Sequence, residues 1–255
     1  MAGVWLTRCT CKNDLSTWTV KNSPPDRGVF IEKIINCHGK INFFQEIENV
    51  KSLLLHDHLI VRFLALLVLV AALFLLAWTF SYLFLPEAIL RGRTSAAILA
   101  GETAASSFYM EWLRIVIINL SVCLLTVIAP NLLRGDTGLP FGYYTVCVQA
   151  IMYAVTLGTN SFSLPLPDGP IAPTFAVLAR SGPYEISAYI LAATATASIS
   201  RWTLRGRWPR QTVEHWEPDR GHRMSRVEWA GLVLAGVLLV TANAWEAFQI
   251  ITRFG

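Results

Sequence analysis

From Phe63 to Leu85 the chain runs for 23 residues without a charge, and no other feature constrains the fold as much. At about 1.5 Å of rise per residue this run makes about 35 Å of helix, enough to cross a bilayer. Comparable blocks follow over Ile115–Leu133, Leu139–Gly158, Pro183–Ser200 and Trp229–Ile251. Of all residues 54% are hydrophobic and 15% are charged, and the apolar ones are gathered in these blocks rather than scattered. The expected fold is an all-α, polytopic transmembrane bundle of five spans, residues 61–255, behind an N-terminal segment of residues 1–60.

Two intervening stretches fall short of a span. Gly169–Ala179 holds eleven uncharged residues, with Pro170 and Pro173 among them, and suits an interfacial or re-entrant piece. Ile98–Tyr109 is rich in Ala and Ser but carries Glu102, and is expected to form an external interfacial loop.

Orientation follows from Lys and Arg, because positively charged loops resist translocation. With the N-terminus inside, internal segments hold 16 of the 21 basic residues and external ones hold five. The strongest anchor is the Arg-rich stretch Arg201–Arg226. The expected placement is therefore the plasma (inner) membrane, with the N-terminus cytoplasmic and the C-terminus outside. The first 50 residues are polar, contain Pro24-Pro25 and lack an apolar core of signal length, so the first span is expected to direct insertion. Just before it, Ile41–Leu55 sets Phe43, Phe44, Ile47, Val50 and Leu54 at helical spacing. That pattern fits either an amphipathic helix on the inner membrane surface or a helix packed on the protein's own loops.

Motifs for soluble catalysis are absent: there is no phosphate-binding glycine loop, no HExxH and no GxSxG. No catalytic residue and no cofactor is assigned. Cys9, Cys11 and Cys37 lie near His38, but Cys-x-Cys without a second paired motif does not make a zinc site, and no metal is assigned. A net charge of +4 sits where topology demands it and does not indicate nucleic acid. Within Arg201–Arg226, residues such as Arg201, Arg205, Arg207, Trp208 and Arg210 are candidates for docking a partner or anionic lipid. Glu214, Glu217 and Asp219 offset part of that charge.

The chemistry of the spans is more telling. Glu185 and Glu246 lie in stretches that otherwise read as spanning helices, and carboxylates there need stabilisation. A helix over the fourth block would set Glu185, Ala188, Ala192 and Thr196 on one face, and the fifth carries Gly231, Ala235, Ala242, Asn243 and Glu246 at or near one face. Such small-residue faces let helices approach closely, and the two carboxylates are expected to share one interior. Two simpler roles stand beside this one. Glu185 would be the third residue of a helix capped by Gly182 and opened by Pro183, where a carboxylate favours the N-terminus. Glu246, close to the outer end of its span, would reach the interface. Candidate partners for the carboxylates are Arg114, Asn119, Gln149 and Asn243, and Asn119 and Gln149 are also suited to bonding across helices.

The stretch ARSGPYEISAYILAATATAS resembles the segment of the stage II sporulation protein M (SpoIIM-like) membrane family in which a His-Gly-x-x-Glu motif opens a span rich in small residues. Gly182 and Glu185 match, and Ser181 stands where the family has His. The last block, GVLLVTANAWEAFQI, is similar to the family's terminal helix at Glu246, Ala247 and Phe248. The Asn119 span is similar to an Asn-containing span of the family, so the resemblance covers about Met110 to Gly255. It implies a multi-pass bacterial membrane protein without enzymatic activity of its own, serving as a subunit or scaffold. Its partners by resemblance are peptidoglycan hydrolases, an ABC ATPase or permease, or other membrane subunits, and homo-oligomers are open. The residues themselves leave a second class standing, an ion-coupled carrier or permease using Glu185 and Glu246. Against it, no inverted repeat is evident.

Overall fold

The computed structural model describes residues 45–93, 105–166, 169–206, 210–216 and 223–254. Cys9, Cys11, Cys37, Phe43, Phe44, Glu102, Arg207 and Trp208 lie outside the described residues. From Ile47 onward the chain forms one unit, and its described residues build six helices and a small sheet.

Helix α1 covers residues 45–54, and α2, Leu59–Phe84, starts after a four-residue break. The charge at Arg62 does not delay α2 until Phe63, because Arg62 is buried against Glu228. Helix α3, Phe108–Val122, opens seven residues before Ile115, where the Ser107 hydroxyl accepts from the Met110 N–H. The axis continues through a π-helical turn, Cys123–Ile128, and a 3-10 turn, Ala129–Leu132. Pro130 explains the change: it has no N–H for the Thr126 carbonyl, and its ring clashes with that carbonyl in a regular helix. Helix α4 is Phe141–Gly158, α5 is Gly182–Ala195 and α6 is Arg226–Phe254.

Four of these rods are long and apolar enough to cross a membrane: Leu59–Phe84, Phe108–Leu132, Phe141–Gly158 and Arg226–Thr252. The fourth predicted block differs. It forms only the 14 residues of α5, about 21 Å of helix, followed by a 3-10 turn over Ala197–Ile199. Thr194 and Thr196 donate back to the carbonyls of Ile190 and Ala192, and the helix stops there. Eight of the 14 residues of α5 are buried, so it lies inside the bundle rather than at its edge.

A three-stranded sheet caps one end, where the sequence suggested only a basic loop. Strands β1 (Leu133–Arg134) and β2 (Trp202–Arg205) pair in parallel, and β2 and β3 (Thr212–His215) pair antiparallel, with Trp202 opposite His215 and Arg205 opposite Thr212. Arg205 meets Glu214 at 3.2 Å across that hairpin, so part of the basic charge is neutralised locally.

Contacts at the two ends fix the direction of each rod. At the sheet end, Arg62 of α2 pairs with Glu228 of α6, Ser198 donates to Glu228, and the Tyr143 hydroxyl of α4 donates to the Leu54 carbonyl. At the far end, the Trp78 indole donates to the Ile171 carbonyl, Ala88 N–H to Thr159 O, and Trp245 and Gln249 of α6 to Ala179 O. The segment from Ala179 to Ser198, α5 with its flanking turns, thus runs beside α6 from one end to the other. The five rods α2 to α6 alternate in direction.

Leu66, Val70, Val127, Val146, Ala150, Ile190, Ala193 and Leu239 fill the middle of the bundle. The outside is equally apolar: Val68 is 70% exposed, Leu76 69% and Leu125 67%. An apolar surface of this breadth is consistent with a membrane protein.

Candidate functional site: a facing carboxyl pair in the bundle

The site forms where α5 begins. Ser181, not Gly182, stands at the cap position, and Gly182 and Pro183 open the helix, so Glu185 is its fourth residue rather than its third. Gly182 is set by packing: a Cβ there would stand 2.0 Å from Cζ of Tyr153, so the α4 phenol occupies the space a side chain would need. That close approach brings α4, α5 and α6 together around the carboxyl groups.

Glu185 of α5 and Glu246 of α6 face one another within hydrogen-bonding reach, and Ser181 reaches Glu185 from the preceding turn. Each carboxyl keeps some lateral surface, yet Oε1 of Glu185 is enclosed and has no donor. Tyr153 of α4 and Tyr189, one turn along α5, lie in the field of the pair, and the Glu111 carboxylate of α3 acts on Glu246. Two carboxyls in mutual reach at low dielectric do not both stay charged without a compensating cation or proton. The arrangement can therefore do one of two things: hold helices together through a protonated pair, or take up and release a cation or proton.

The other predicted polar residues are used in links between helices. Asn119 donates to Asn243 at 2.8 Å, tying α3 to α6 one turn from Glu246, and the Tyr189 hydroxyl donates to the Asn119 carbonyl at 3.4 Å. Gln149 donates to the Thr126 hydroxyl, joining α4 to the π turn. Arg114 bonds Glu111, one turn back on its own helix, at 2.5 Å, and that carboxylate also accepts the Ala105 N–H at 2.7 Å. Among the small residues, Ala188 and Ala192 of α5, Thr196 just past its end and Ala235 of α6 are buried, and a Cβ on Gly231 would reach Leu59 at 2.6 Å and Ala195 at 3.5 Å. Arg201, Arg205 and Arg210 are exposed at the sheet end, far along the bundle from the carboxyl pair.

Sequence reasoning missed a second polar centre at the sheet end. Arg62 and Glu228 form a buried ion pair at 2.7 Å. Glu228 also accepts the Ser225 N–H at 2.8 Å, while the Ser225 hydroxyl accepts the Glu228 N–H at 3.2 Å, a reciprocal cap for α6. The signal was present as Ser225-Arg-Val-Glu228 ahead of an apolar run. Asn131 is fully buried and bonds the Ala193 carbonyl, the Thr196 hydroxyl and the Gly142 N–H at 2.7 to 2.9 Å. Arg134 donates to Ala197 O at 2.8 Å and lies 4.1 Å over the Trp216 ring. Burial pulls the Arg134 guanidinium below its ordinary value, Tyr143 opposes that shift and Arg62 adds to it.

Among the described residues no group of three or more His, Cys, Asp or Glu side chains could hold a metal ion. Compared with known proteins, the chain matches no family model, no curated protein and no solved structure.

Proposed function

We propose that this chain is a non-catalytic integral membrane subunit or scaffold of a bacterial envelope or ABC-type transport complex, in line with its resemblance to the stage II sporulation protein M family. The observation that carries the proposal is how the polar side chains inside the bundle are used. Asn119, Asn243, Gln149, Arg62, Glu228 and Asn131 are each bonded to a neighbouring rod, as expected of a bundle whose polar groups act as glue. In this reading α5 and its flanking turns complete a fifth crossing, the N-terminus is cytoplasmic and the C-terminus is outside. The carboxyl pair fixes α5 to α6, and the sheet end with Arg201, Arg205 and Arg210 is the cytoplasmic face offered to a partner.

One observation favours a second reading, the ion-coupled carrier: Oε1 of Glu185 is enclosed without a donor while facing a second carboxyl. An unsatisfied buried oxygen is costly, and such sites in membranes mark ion and proton pathways.

Mild-detergent purification of the native complex, with mass spectrometry of what co-purifies, separates the two. The subunit reading expects an ATPase, a permease or a wall hydrolase with the wild type and its loss in a Glu185→Gln, Glu246→Gln double variant. A chain that purifies alone in both forms overturns it. Proton flux in liposomes that is lost in Glu185→Gln would then establish the carrier.

A further inference from the structure

A cavity of about 650 Å³ opens on the side of the bundle between α2, the segment 173–178 and α5. Its α2 wall runs from Leu67 to Trp78, and Phe175 and Ile190 stand across from it. No charged residue lines it. Two of its three polar side chains are turned to other partners, the Trp78 indole N–H donating to Ile171 O and the Ser187 hydroxyl to Pro183 O, which leaves the Thr174 hydroxyl as the one side-chain group that could hold a water. A void walled in this way gives water too few partners to fill it.

From this geometry we infer that the cavity is a binding groove for one acyl chain of a membrane phospholipid. Three observations select that occupant. The groove lies along α2, a helix long and apolar enough to span the membrane, so the medium beside it is lipid. It opens sideways, with Leu75 54% exposed and Phe175 89% exposed at its edge. Its length decides between a lipid and a protein helix. Leu67 to Trp78 is about 16 Å of helix rise, half of a hydrocarbon core of about 30 Å. A partner's spanning helix needs the full thickness, about twice the length of this groove. A single acyl chain is one leaflet deep and matches the groove's length, with the segment 173–178 as the wall facing α2.

The test uses the full chain reconstituted in dioleoylphosphatidylcholine vesicles, returned to mild detergent and weighed by native mass spectrometry. The wild type retains one phospholipid per chain. Ala71→Trp, which fills the groove from α2, retains none, and neither does Thr174→Trp, which fills it from the opposite wall. Leu76→Trp, on the lipid-facing side outside the groove, keeps the lipid. Circular dichroism identifies any variant that has lost its fold, and the other groove-filling variant then decides. A wild type without bound lipid, or equal retention in a folded groove-filled variant, overturns the inference. So does recovery from native membranes of a protein in place of the lipid that is displaced by Ala71→Trp.

Discussion

Replacing Arg62 by Met lowers the unfolding free energy by about 3–5 kcal/mol, the cost of leaving one partner of a buried ion pair uncompensated. The Arg62 and Glu228 side chains are each only 11% exposed, so water cannot take over the lost charge. Met keeps most of the apolar stem of Arg62 in place, and the loss therefore reports the charge rather than a cavity. The double variant Arg62→Met, Glu228→Met removes both charges and regains most of the stability, apart from about 1 kcal/mol for the capping carboxylate of α6. Denaturant titration in mild detergent micelles measures all three chains. Equal stability of the wild type and Arg62→Met would show that the pair is solvated and does not hold α2 to α6.

Gly142→Ala is expected to weaken the same end by a different route. Its Cβ would lie 2.3 Å from Oδ1 of Asn131 and 2.5 Å from the Val127 carbonyl, and the second of these is backbone that a rotamer change cannot move aside. Overpacking of this kind costs about 1–3 kcal/mol. Displacing Asn131 also loses bonds to Ala193 and Thr196, each contributing about 0.5–1.5 kcal/mol. The same titration reads the effect. Gly236→Ala, where a Cβ meets nothing within 4 Å, is the control and raises stability by about 0.5–1 kcal/mol through helix propensity. A Gly142→Ala chain as stable as that control would mean that α4 does not approach the 3-10 turn this closely.

The sequence made the membrane-spanning character legible because charge-free runs of helical length have few other uses, and α2, α4 and α6 lie close to where such runs predicted them. It also brought Glu185 and Glu246 to one interior, since small residues at spacings of three and four mark the faces that pack. Other features were hidden for physical reasons. Arg62 and Glu111 are charged, and a charge reads as the end of a span; only a partner across the bundle or one turn away lets the helix include it. At the early end of α5, Asn131 from another segment bonds the Ala193 carbonyl and the Thr196 hydroxyl, a contact that hydropathy does not record. The hairpin of β2 and β3 was masked by its arginines, because basic composition speaks of topology and not of strand pairing. Asn131 gave no periodic signal at all: its role comes from the turn that Pro130 forces on the chain.

Everything proposed for the carboxyl pair depends on α5 and its turns completing a crossing, and the side on which each end of the chain lies tests that directly. With the five native cysteines replaced by Ser, a single cysteine is placed at Glu48 or at Thr252, both exposed, and labelled with a membrane-impermeant maleimide in spheroplasts and in inverted vesicles. Glu48→Cys labels only in inverted vesicles and Thr252→Cys only in spheroplasts if the bundle crosses five times. Labelling of both positions from the same side would mean four crossings and would contradict the account.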